Sequence, residues 1–129
     1  MDILVLRLAP GEDLRQVLEK QRYPAACVLS AVGSFAQAVL RFADQTEGMA
    51  LAGPLELLTL AGTIGRERAH LHASVGDAQG LVRGGHVMPG CIVRTTAEVV
   101  VAQLRGWEFG RELDAATGYE ELVARRKPD

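Results

Sequence analysis

Apolar and polar residues alternate in short runs along most of the chain, a pattern that predicts strands more often than helices. Residues 3–8 are largely apolar and end at the turn signal Pro10-Gly11, which predicts a first strand. Residues 69–75 alternate as in a strand with one buried face. Residues 92–104 are the longest strand candidate because β-branched residues are frequent in them. The pattern therefore predicts a chain built mainly of β-structure.

Glycine interrupts two further apolar segments. Residues 26–32 and 35–42 flank Gly33-Ser34, and we expect two strands joined by a turn there. Residues 55–64 are predicted to form another strand, in which Gly62 marks a bulge or a close approach of two backbones.

One segment has the spacing of an amphipathic helix. Leu14, Val17 and Leu18 fall on one face, Asp13 stands at the N-cap position, and the segment ends before Pro24. Many short strands with one clear helix predict an α+β domain, in which a largely antiparallel sheet is covered by one main helix.

Length and composition indicate a single globular domain. The chain has 129 residues, of which 48% are hydrophobic and 23% charged. We expect a core over residues 1–122 and a frayed, charged tail over residues 123–129. The first residues lack a signal-peptide pattern and no apolar run approaches about 20 residues, so we expect a soluble, cytoplasmic protein with no membrane partner.

All three histidines of the chain lie within residues 70–86. His70 and His72 are two positions apart and project from the same face of a strand. A polar turn and a second strand would return His86 beside them, after a break at Gly84 and Gly85. Three neutral imidazoles with a fourth position free are a ligand set that zinc accepts, whereas the alternative is a group of packing or hydrogen-bonding histidines.

Two carboxylates lie within otherwise apolar strands. Glu56 and Glu98 would be costly there unless paired, so either could orient a ligand imidazole or act as a general base, Glu56 being the catalytic candidate. The alternative places both on the solvent face of a half-exposed strand.

Cys27 and Cys91 lack metal or redox spacing and are predicted to be buried free thiols. No nucleophile elbow or phosphate-binding loop is present in the sequence.

Charge argues against a nucleic-acid partner. The formal net charge is −2, which supplies no general attraction to phosphate. Arg125, Arg126 and Lys127 form the only basic run.

Several segments together resemble the plants-and-prokaryotes-conserved (PPC) domain. The most specific is H-L-H followed by G-x-x-x-G-G-H, within the longer segment HLHASVGDAQGLVRGGHVMPG. The segments GSFAQAVLRF, GPLELLTLAGTIG, TTAEVVVAQL and RELDAATGYEEL also match in order, so that the resemblance covers nearly the whole chain.

The resemblance implies an antiparallel α+β fold that assembles as a homotrimer. It also implies a DNA-associated regulatory role and a bound divalent metal, zinc above others, at His70, His72 and His86. In plants the domain is joined to AT-hook segments, whereas this sequence lacks an R-G-R-P hook. The family resemblance therefore predicts DNA as a partner, whereas the net charge predicts that binding to DNA is weak.

Three functions follow as hypotheses. The first is a non-enzymatic regulatory or assembly module, which we favour. The second is a metal-dependent enzyme that acts on an unidentified small molecule, and the third is a metal- or ligand-sensing protein.

Overall fold

The computed structural model describes residues 1–128. They form one short helix and eight strands: β1 (Asp2–Leu8), α1 (Leu14–Lys20), β2 (Ala26–Arg41), β3 (Met49–Ile64), β4 (Ala69–Gly76), β5 (Val82–Val87), β6 (Ile92–Gln103), β7 (Trp107–Leu113) and β8 (Glu120–Arg126).

Six of the strands form one antiparallel sheet in the order β1-β6-β2-β3-β4-β5. The far end of β2 also pairs with β5, with Leu40 opposite Val87 and Arg41 opposite His86. The sheet therefore curls until β5 meets β2 again. The predicted combination of a mostly antiparallel sheet and a single helix is confirmed, and the helix, with seven residues, is much shorter than β2 and β3, with sixteen each.

The concave side of the curled sheet holds one continuous hydrophobic core, in which Phe35, Leu40 and Leu71 are fully buried. Helix α1 adds Leu14 and Leu18 to this core. Burying a side chain of that size stabilises the fold by about 1.5–3 kcal/mol. The helix is thus held mainly by its apolar face rather than by its own length.

The turn expected at Gly33-Ser34 is wrong, because β2 runs unbroken from Ala26 to Arg41. Gly33 pairs with Leu57 on one side and Ala97 on the other. A Cβ atom at Gly33 would lie 2.6 Å from the carbonyl oxygen of Thr96. The glycine therefore allows strands to approach closely and does not form a turn.

The break expected at Gly84 and Gly85 is also wrong, since β5 continues through both to Val87. A Cβ atom at Gly85 would lie 2.6 Å from the carbonyl oxygen of Arg41. At Gly62 the expected close approach is confirmed: the residue has φ +153° and its α-carbon faces the carbonyl of His70.

Strands β7 and β8 form a separate hairpin after the main sheet. The hairpin is tied to the sheet by the amide of Phe109, which donates to the carbonyl of Pro24 over 2.9 Å. Strand β8 extends into the predicted tail: Arg126 pairs with Trp107 and places its guanidinium carbon 5.1 Å from the indole centroid. The fraying expected of residues 123–129 stays a prediction. Asp129 lies outside the described residues.

The two cysteines and the single helix were also the subject of predictions from the sequence. Cys91 is buried and Cys27 half-buried, both as free thiols, and burial raises the pKa of Cys91 to about 11. The one helix that residues 1–128 form is too short to cross a bilayer.

Candidate metal centre

Strand β4 presents two histidines to solvent because its side chains alternate between the two faces of the sheet. Leu71 and Ala73 are buried in the core, whereas His70 and His72 are exposed. The alternation read from the sequence therefore has the predicted register.

The β4–β5 hairpin brings the third histidine to the same place. His86 lies directly opposite His72 in the antiparallel pairing, as the sequence predicted. On its other side His86 pairs with Arg41 of β2, and His70 pairs with Thr63 of β3. The curling of the sheet thus surrounds the three imidazoles with strands on both sides.

The three rings form a compact triangle. Their centroids are 5.1 Å apart for His70 and His72, 5.3 Å for His70 and His86, and 5.8 Å for His72 and His86. One ring nitrogen from each residue lies within 4.8 Å of the others. Around a tetrahedral zinc with bonds of about 2.0–2.1 Å, ligand nitrogens stand about 3.4 Å apart. Small side-chain rotations close that difference, so the donor set fits a single ion.

Exposure separates this cluster from a set of packing histidines. His70 and His72 are exposed and His86 is half-buried, so none of the three fills the core. A role in core packing is therefore excluded for these imidazoles.

The surroundings of two of the three histidines disfavour the protonated imidazole. Partial burial, then Arg111 and His72, hold the pKa of His70 below its usual range. Burial first, then Arg41 and Arg15, lower the pKa of His86 to about 4. Metals bind neutral imidazole, so these environments favour the form that a metal needs.

The structure does not bring the candidate carboxylates to the histidines. Glu56 is exposed and pairs with Gly76, four residues beyond His72 and thus roughly 13 Å away along the strand. Glu98 is exposed on β6, opposite Arg7 and Val32. Both glutamates therefore lie on the solvent face of a strand, which was the alternative to a role at the metal.

A cavity of about 630 Å³ opens beside the triad, between the main sheet and the β7–β8 hairpin. Its walls come from both units and include two of the three histidines; the lining residues are Arg15, Arg41, Arg68, Ala69, His70, His86, Met88, Arg111, Leu113, Gly118, Tyr119, Glu120 and Glu121. The volume is in the range of sites that hold small molecules.

Four arginines line this cavity, and sequence reasoning missed all of them. Arg15 pairs with Glu19 at 3.1 Å and also donates to the carbonyl of Val87 at 2.9 Å. Arg68 pairs with Glu120 at 3.3 Å. The four are scattered along the chain, so only the fold assembles them. The alternating segment WEFGREL was the one signal that a strand could carry Arg111.

Comparison with known families agrees with this architecture. The family model of the Plants and Prokaryotes Conserved (PCC) domain matches residues 1–105. The chain belongs to the PCC domain family. The family is the one that the histidine motif resembles, and its matched region contains the whole triad. The β7–β8 hairpin of this PCC domain follows the matched region.

Relatives of this PCC domain include a bifunctional protein GlmU from Synechococcus sp. strain JA-3-3Ab, 52% identical over 121 residues. The match covers 91% of this chain and 20% of that protein, so the chain spans about a fifth of the length of the curated relatives it matches.

Two solved structures are similar in sequence as well as fold. A hypothetical protein from Salmonella enterica is 35% identical with a TM-score of 0.92, over 98% of this chain and 95% of that one. A metal-containing protein from Archaeoglobus fulgidus is 31% identical with a TM-score of 0.78, over 95% and 94% of the two chains. A more distant structure, from Ralstonia eutropha JMP134, is 20% identical with a TM-score of 0.79, over 92% and 89%, and its name assigns it provisionally to DNA binding.

Proposed function

We propose that this PCC domain binds one divalent metal ion, zinc in preference to others, through His70, His72 and His86. The observation that carries the proposal is the convergence of three solvent-accessible imidazoles, each with one ring nitrogen within 4.8 Å of those of the other two. Imidazole suits zinc and the neighbouring transition metals, whereas magnesium and calcium prefer oxygen.

The relative from Archaeoglobus supports this proposal. That protein is named as metal-containing, and it shares 31% identity with the present chain over nearly its full length. The support is independent of the geometry at the triad.

The proposed role is a metal-binding regulatory or assembly module. The second candidate is a metal-dependent enzyme, and the cavity beside His70 and His86 favours it because a small molecule could reach the metal from there. A zinc held by three imidazoles leaves one position for water or substrate and can act as a Lewis acid. His70, His72 and His86 would hold the ion, while Glu56 is too distant to serve as the base. A metal-sensing role without turnover would use the same residues.

Direct DNA binding is proposed to be weak and independent of sequence. The basic run at the end of the chain is already engaged, because Arg125 pairs with Glu112 and Lys127 with Glu108. Arg126 lies over Trp107. These contacts reduce the positive charge that could face phosphate groups, in a chain whose net charge is −2. The two structures named for DNA binding are only 16% and 20% identical to this chain, so they support the fold. A DNA-associated role rests on the family resemblance.

We also propose that the chain assembles as a homotrimer. Exposed apolar side chains cluster on β1 and β2, where Val5 is 73% exposed and Ile3, Leu29 and Val32 are each more than half exposed. Strand β1 is one edge of the sheet, and natural proteins cover such edges. We propose that other copies of the same chain cover this edge and its exposed apolar residues. A cytoplasmic location stays a prediction from the sequence.

Elemental analysis joined to diffraction tests the metal proposal. Protein saturated with zinc and then dialysed should retain one zinc per chain, and anomalous scattering at the zinc edge should give one peak within bonding distance of all three imidazoles. A fourth position filled by water at the cavity would favour the enzyme, and one filled by a protein atom would favour the structural role. A peak elsewhere, or less than half an ion per chain, would contradict the proposal.

A further inference from the structure

The cavity beside the triad has a charge opposite to that of the whole chain. Four arginines and two glutamates line it, which is an excess of two positive charges, whereas the chain carries a net charge of −2. Walls that exclude water strengthen the field of such a cluster. The local charge therefore favours an anionic occupant.

Two of the four arginines have their charge satisfied within the protein. Arg15 is engaged by Glu19 and by the carbonyl of Val87, and Arg68 by Glu120. These two arginines, with their partners, stabilise the cavity walls.

The other two arginines lack a carboxylate partner among residues 1–128. Arg41 is half-buried at the end of β2, beside His86. Arg111 is half-buried on β7, and within the described residues its side chain donates one long hydrogen bond, 3.4 Å, to the hydroxyl of Thr63. Glu121 is the remaining acid in the wall, and it is close enough to influence Arg111 without pairing with it.

Unpaired guanidinium groups that are partly removed from water are costly unless an anion meets them. Guanidinium recognises carboxylate and phosphate through parallel hydrogen bonds, because its donors form a fixed planar fork. Arg41 lies on the sheet and Arg111 on the hairpin, so an anion between them would be held from both walls. His70 and His86 line the same space.

We infer that this cavity binds a small organic anion, whose carboxylate or phosphate group is held by Arg41 and Arg111 next to the histidine triad. The anion site is defined by the arginines and goes beyond the metal proposal. A role of the cavity as a substrate site rests on the proposed metal-dependent function, whereas anion binding itself does not. Met88, Leu113 and Tyr119 supply apolar wall against which the rest of such a molecule could pack.

Calorimetric titration of metal-stripped protein, with the chelator dialysed away, tests this inference. The probes are inorganic phosphate and succinate, each at constant ionic strength with chloride as the balancing ion. Saturable binding of one anion per chain is expected for wild type. Arg41→Gln and Arg111→Gln should each weaken it roughly 10- to 100-fold. The better of the two probes identifies the group as phosphate or carboxylate.

Arg94→Gln is the matched control, since Arg94 is an exposed arginine on β6 away from the cavity. It should bind the anion as wild type does. Phosphate also stabilises proteins in general by exclusion from their surface, which is why binding is compared between variants. His72→Ala should bind the anion normally, because His72 lies outside the cavity wall. This variant separates failure of the anion site from failure of the metal site.

Three results would overturn the inference. One is the absence of saturable binding for both probes in wild type. Another is binding that survives both Arg41→Gln and Arg111→Gln. The third is an equal loss in Arg94→Gln, which would indicate general attraction to positive charge.

Discussion

His72 has two strand neighbours of quite different character. On one side it pairs with Ala61 and on the other with His86, so that an imidazole opposes an imidazole across the β4–β5 hairpin. Directly paired residues of antiparallel strands have Cβ atoms about 4.5–5.5 Å apart, which suits two ligands of one ion. His70, two positions along the same face, completes the triangle.

Gly62 maintains this arrangement from the neighbouring strand. Its φ of +153° is rarely adopted by other residues, and a Cβ atom would collide with the carbonyl of His70. We expect Gly62→Ala to lower the free energy of unfolding by about 1–3 kcal/mol and to weaken zinc binding by displacing β4. Denaturant unfolding and zinc titration measure the two effects.

The control for that variant is Gly110→Ala on β7, where a Cβ atom meets no other atom. Its unfolding free energy should change by less than about 1 kcal/mol. If both variants behaved alike, the close contact at Gly62 would have no special role.

At the level of elements, Asp13 joins the helix to the sheet. One carboxylate oxygen accepts from the amide of Gln16 at 3.1 Å and caps α1, and the other accepts from the amide of Gly90 at 2.7 Å. Asp13→Ala should therefore cost about 1–3 kcal/mol of unfolding free energy, because a cap and a loop contact are lost together. Asp13→Asn keeps one acceptor oxygen and should lose less. An equal loss in both variants, measured by denaturant unfolding, would contradict this role.

The sequence predicted the strands with regular alternation and the capped helix. It also predicted that His86 would return beside His72, because a turn between two alternating strands fixes which residues face each other. The glycines were misread at Gly33 and at Gly84-Gly85. Glycine serves both turns and close strand packing, and only the neighbouring strands decide between these uses.

The cavity could not be predicted for a different reason. Arg15, Arg41, Arg68 and Arg111 come from separate parts of the chain, and their approach depends on the curl of the sheet and the placement of the β7–β8 hairpin. Local patterns of apolar and polar residues in the sequence do not predict which distant segments come together in this way. The contact of Arg126 with Trp107 across the β7–β8 hairpin is likewise absent from the charge pattern of residues 123–129.

At the level of the whole molecule, the exposed apolar residues of β1 and β2 predict self-association. Sedimentation at micromolar concentration should give about three times the chain mass of 13.8 kDa. Val5→Glu should release monomers because it places a charge in the proposed interface. Leu81→Glu, at an exposed apolar position outside that face, should leave the assembly intact. A wild-type monomer would contradict the homotrimer.

Charge leads to a second prediction at this scale. Binding to duplex DNA at physiological salt should be no tighter than the roughly 10⁻⁴–10⁻⁶ M of non-specific complexes, and it should not depend on sequence. Fluorescence anisotropy with two unrelated duplexes measures this. Tight, selective binding with a steep dependence on salt would contradict the account.

If the three histidines form one metal site, zinc should stabilise the protein against thermal unfolding. In metal-stripped wild type, zinc at a hundred times its dissociation constant should add about 2.7 kcal/mol of stability and raise Tm by roughly 10 °C.

His72→Ala removes one ligand while the neighbouring Leu71 and Ala73 stay buried on the opposite face, so its fold should persist and its response to zinc should disappear. Gln79→Ala, at an exposed position in the β4–β5 turn, should respond as wild type does. Equal shifts in wild type and His72→Ala, or no shift in either, would contradict the metal site.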